Sequence, residues 1–166
     1  MIYLIWLLRI IHIVGGVIWV GGALIMAFFV GPAIGATGEA GQKFAGHLMN
    51  NLKFSNRISA AAGSAVLAGI ILFSLDARAG TSWLQSSFAN GLSIGAGFAI
   101  IGLVFGILVG RNFKSMAQLG SQFQGKPTPE QMSRMQALQK QQVRYSMINV
   151  VALVLATVFM AIARYL

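Results

Sequence analysis

Cysteine is missing from this chain altogether, and with it go disulfides, thiolate ligands, iron–sulfur clusters and the covalent attachment of c-type haem. Any metal would have to be held by His, Met or oxygen ligands. Acidic side chains are nearly as scarce, since Glu39, Asp76 and Glu130 are all there are. None of them falls inside a long apolar run, so a carboxylate relay for protons or cations has nothing to run on. There is no grouping of nucleophile, base and acid, no phosphate loop and no zinc signature, which leaves a hydrolase without machinery. Low-complexity tracts and internal repeats are also absent.

What is present is hydrophobic: 57% of the 166 residues are apolar and 9% charged. That is the composition of an integral membrane protein. The formal charge of +9 does not point to nucleic acid, because the Lys and Arg residues stand at the ends of apolar runs, where loops meet anionic headgroups. Roughly 20 apolar residues cross a bilayer, and four stretches qualify: about 2–30, 57–75, 91–112 and 144–165. The first lacks a basic leader and a small-residue cleavage site and runs close to 30 residues, so it is expected to be a retained span and not a signal peptide. It is expected to end at Gly31-Pro32, where proline interrupts a helix.

The predicted fold is all-α: a single domain, residues 1–166, forming an integral membrane four-helix bundle. Nine basic residues, Lys43, Lys53, Arg57, Arg111, Lys114, Lys126, Arg134, Lys140 and Arg144, flank the two long connections, and only Arg9, Arg78 and Arg164 lie elsewhere. The positive-inside rule then places both connections in the cytoplasm of a bacterial inner membrane, with both termini and the loop around Gly80–Asn90 outside. The connections are expected to be helical extensions. Thr128-Pro129-Glu130-Gln131 spells a capping box with proline at the first helical position. A helix from Pro129 to Tyr165 would be about 55 Å long and stand about 20 Å clear of the bilayer. Thr37 and Glu39 are expected to start another, carrying Phe44, His47, Leu48 and Leu52, and the two extensions could pack as a cap. The expected flexible turn is Gly120–Pro127.

Close helix contact in lipid relies on small residues. Gly91, Gly95, Ala99, Gly102, Gly106 and Gly110 make such a track in the third span, and the Ser59–Gly69 region makes one in the second. The fourth places Tyr145, Asn149, Ala152, Ala156 and Ala163 on one stripe, with Asn149 expected inward. The glycines serve tight packing on one reading; on another they make room for a flat macrocycle.

His12 is the histidine within an apolar run. At about 100° per residue it shares a helix face with Arg9, Gly16, Trp19 and Ala23, opposite Ile10, Val14, Val17, Ile18, Ile25 and Phe28. An ionisable group at that depth is costly and normally faces the bundle interior. Two readings stand open: an axial ligand of b-type haem, with Arg9 toward a propionate, or a structural hydrogen bond to a neighbouring helix. Trp19 would stack on the ring or simply pack. His47, in the first connection, is a solvated histidine or a second metal contact. The other spans have no histidine, so a sixth ligand would be Met26, Met147, Met160, water, a lysine, nothing, or another subunit.

The order His12, Ile18-Trp19-Val20-Gly21-Gly22 and Gly31-Pro32-Ala33 resembles the first span of the copper-resistance D (CopD) family, and is similar to the HemJ-like protoporphyrinogen oxidases. Phe44, Phe54 and Arg57 continue the pattern. The resemblance covers about the first 60 residues and implies a haem-associated or copper-associated membrane protein with His12 as the ligand. The leading expectation is therefore haem b and electron transfer or haem-linked oxidoreduction. Copper transport, or a cofactor-free subunit working with other membrane redox subunits or as a homo-oligomer, are the alternatives.

Overall fold

The computed structural model describes residues 2–78, 80–123 and 127–166. The described residues form helices and short connections, with no strand among them. Among the described residues seven α-helices follow one another: α1 Ile2–Ile25, α2 Gly31–Ala36, α3 Glu39–Gly46, α4 Phe54–Ala77, α5 Thr81–Leu84, α6 Ser87–Gly120 and α7 Pro129–Ile162. Four helical segments among the described residues are long and apolar enough to cross a membrane: Ile2–Ala36, Phe54–Ala77, Ser87–Gly120 and Pro129–Tyr165. The chain is thus a multi-pass, all-α four-helix bundle. Tyr3, Trp6, Trp83 and Tyr165 gather at the end that carries both termini, as an interfacial belt would.

The first span does not stop at Gly31-Pro32. Proline has no N–H to give and its ring crowds the carbonyl four residues back. The helix absorbs this by widening into a π-turn, Met26–Val30, in which the Gly31 N–H reaches back five residues to Met26 O. Glycine is required there, because a methyl group at Gly31 would sit 2.8 Å from that carbonyl. The helix then continues as α2. Thr37 does not cap α3 either: its hydroxyl donates to Ala33 O at 2.7 Å, and the N-cap position falls on Gly38 with no side-chain bond. A second π-turn, His47–Asn51, leads to Lys53, whose left-handed φ of 49° separates it from α4.

α7 starts where the sequence places it. The Gln131 N–H donates to the Thr128 hydroxyl at 3.2 Å and the Thr128 N–H donates to the Gln131 side chain at 3.0 Å, closing the capping box. Its extension pairs with α6, which runs on to Gly120, and not with α2 and α3; among the described residues those short helices make no contact with α6 or with that extension. The expected cap of two extensions is therefore a helical hairpin, because α6 has no breaker before Gly120. Buried Asn112 fastens it by donating to Leu138 O and to the Gln142 side chain, each at 2.9 Å. Of the turn expected over Gly120–Pro127, residues 124–126 lie outside the described residues.

The closest pairings are α1 with α4 and α6 with α7, both antiparallel. In the second pair Gly91 meets Ala163, Gly95 meets Met160 and Gly102 meets Leu153, each so closely that an added methyl would fall within 3.0 Å of its neighbour. The two pairs meet around Trp19 of α1, buried with Ala62 of α4 and Leu153 of α7 and covered by Leu103 of α6.

Candidate functional site

Leu8, His12, Gly15, Trp19 and Gly22 recur at spacings of four and three, the seam that two helices crossing at a shallow angle use. Gly15 and Gly22 let α4 approach. A methyl on Gly15 would lie 2.9 Å from Ala61 O and 3.0 Å from Ser64 Oγ, and one on Gly22 would lie 2.5 Å from Ile58 Cδ1. The notch beside the histidine is thus Gly15, where the helical wheel favours Gly16; a methyl on Gly16 or Gly21 meets nothing within 4 Å. Two adjacent glycine pairs offer two candidate faces, and only the partner helix decides between them.

Within this seam His12 is half-buried and points across to α4. Its Nδ1 lies 2.7 Å from Ala65 O. A backbone carbonyl only accepts, so Nδ1 carries the proton and donates it. In the neutral ring Nε2 is then the unprotonated nitrogen, with its lone pair available. The ring rests on Gly69, where a methyl would come within 2.9 Å of His12 Cε1 and 3.0 Å of Nδ1. About ten residues separate His12 from the start of α1, which puts it roughly 15 Å into the span.

The other candidates divide around it. Arg9 is exposed and Gly16 open, and by helical geometry both lie on the flank of His12 turned away from Gly15. That flank is an outer face of α1 that no other helix among the described residues covers. Trp19 is packed at the bundle centre, a packing role that its spacing alone left open. His47 is exposed in the second π-turn, at the far end of α4 from Gly69, and the structure does not bring it to His12.

Each candidate methionine lies elsewhere. Met160 lies over Gly95 in the α6–α7 seam and Met147 is exposed on α7. Met26, at the π-turn, is about 20 Å along the helix from His12. No group of three or more His, Cys, Asp or Glu side chains that could hold a metal occurs among the described residues. The partners that sequence reasoning did not single out for the site are the Ala65 carbonyl and Gly69. The first has no sequence signature; the second was visible only as one small residue among many in its span.

No family model matches the chain, and no curated protein or solved structure matches it.

Proposed function

We propose that the chain is a bacterial inner-membrane b-type haem protein, serving electron transfer or haem-linked oxidoreduction, with His12 as an axial ligand. The observation that carries this reading is the bond from His12 Nδ1–H to Ala65 O. A metal-binding histidine characteristically donates its second ring nitrogen to a carbonyl or carboxylate, which fixes the tautomer and raises the basicity of the ligating nitrogen. Here one helix supplies that acceptor to another, and Gly69 leaves room for the Cε1–Nδ1 edge of the ring to approach it. The open flank beside Gly16 suits a planar group, and exposed Arg9, one turn away, suits a propionate. Haem bound there would supply one-electron chemistry. The chain's own part is to present Nε2, hold the Nδ1 proton and keep water away with the apolar walls of α1 and α4. The resemblance to CopD-like and HemJ-like first spans points the same way. The cytoplasmic side is assigned to the basic end of the bundle, with both termini outside.

The same bond also supports a second reading, a cofactor-free membrane subunit in which His12 only ties α1 to α4. Absorption spectra separate the two. Protein produced with ample haem should show a Soret band that sharpens and shifts with dithionite, and His12→Ala should lose or shift it while His47→Ala leaves it alone. Absence of the band overturns the haem reading, and its loss only in His47→Ala overturns the choice of ligand. Copper in place of haem would appear in metal analysis of the same sample.

A further inference from the structure

Two open surface hollows lie along one flank of α7, the first lined by α7 alone and the second shared with α6. The first, of about 490 Å³, is lined by Arg134, Lys140, Gln141, Arg144 and Tyr145 at the basic end of α7. The second, of about 280 Å³, lies deeper in the span, where Phe98 and Ile101 of α6 face Ile148, Val151 and Leu155 of α7, and its wall is almost wholly apolar. Residues 141, 144, 148, 151 and 155 recur every three or four positions, so the hollows follow one stripe of α7.

The chemistry changes sharply along that stripe. Arg134, Lys140 and Arg144 have no ion-pair partner among the described residues. Gln141 donates to the Tyr145 hydroxyl at 2.8 Å, so the Tyr145 proton remains free to donate outward. Arg144 stands where the long apolar run of α7 begins, and Val151 is about 10 Å deeper along the helix. Cations and a hydroxyl at headgroup depth thus sit directly above an apolar channel at acyl-chain depth.

We propose that this stripe is a binding site for one anionic phospholipid. Its phosphate is held by Arg144 and Lys140 with the Tyr145 hydroxyl, and an acyl chain lies along the channel between α6 and α7. Arg134, farther out, adds attraction. An acidic soluble partner would satisfy the cations but leave the apolar channel beneath them unused; a phospholipid satisfies both.

Native mass spectrometry of the detergent-purified chain tests this with three probes: a long-chain phosphatidylglycerol, the matching phosphatidylcholine, and glycerol phosphate, the anion without chains. The chain should retain one phosphatidylglycerol, not retain phosphatidylcholine, and keep its lipid in the presence of glycerol phosphate. Lys140→Gln with Arg144→Gln, both at exposed positions, should lower phosphatidylglycerol retention about tenfold with helicity by circular dichroism unchanged. Equal retention of the two lipids, or wild-type retention by the double variant, overturns the site. Displacement by glycerol phosphate overturns the acyl channel and leaves only a free-anion patch. None of these readouts depends on haem, so they succeed or fail independently of the His12 reading.

Discussion

Adjacent glycines in α1 do different work, and the difference is measurable. Gly15→Ala puts a methyl against the Ala61 backbone, which cannot move aside cheaply, and should cost about 1–3 kcal/mol. Gly16→Ala meets open space and removes the entropic cost of a helical glycine, a gain of about 0.5–1 kcal/mol. Denaturant or SDS titration of the purified chain compares the two; equal effects would refute the α1–α4 register. Gly69→Ala acts on the histidine instead. Its methyl displaces the ring and weakens the bond to Ala65 O, so the expected result is a broadened or shifted Soret band with the helix content intact.

Single polar side chains mark the next scale, that of the helix pair. Asn112 and Asn149 are both buried between α6 and α7, yet Asn112 has two partners while the Asn149 Oδ1 has none among the described residues. Removing a satisfied group leaves its partners short, whereas removing an orphaned one costs little. Asn112→Leu should therefore destabilise the hairpin by about 1–2 kcal/mol, and the near-isosteric Asn149→Leu should be neutral or stabilising by about 1 kcal/mol. The same titration checks both, and a larger loss for Asn149→Leu would contradict the unpartnered state of its Oδ1.

What was legible at this scale follows from how local each signal is. Four spans, the capping box at Thr128 and the inward face of Asn149 could be read because apolar runs, cap residues and small-residue spacing act within one helix. The passage through Gly31-Pro32 could not, because the competing outcomes, a stop or a π-turn, differ only in how carbonyls five residues apart are shared. The partner of the α7 extension was obscured for a related reason: α6 beyond Arg111 is polar and gives no hydropathy signal, although it runs on as helix. His12 was legible as a site, but its acceptor on α4 was not, since every residue has a carbonyl.

At the scale of the whole molecule, two antiparallel hairpins meet around one indole, with most of the basic residues at one end and both termini, with Arg9, Arg78 and Arg164, toward the other. The absence of native cysteine makes the proposed orientation directly testable, since any single introduced thiol is the only one present. Ser82→Cys in α5 and Gln136→Cys in the α7 extension are both exposed positions. In intact cells with a permeable outer barrier, a membrane-impermeant maleimide should label the first and reach the second only after lysis; the opposite pattern inverts the assignment. The connection between the hairpins is slight, a single turn at Thr81–Leu84, and each hairpin closes its own glycine seam without the other. A gene divided at that turn should yield two fragments that insert separately and reassemble in the bilayer. Trp19 is the bolt through the assembled pair: the tagged halves should copurify, and Trp19→Ala should release them.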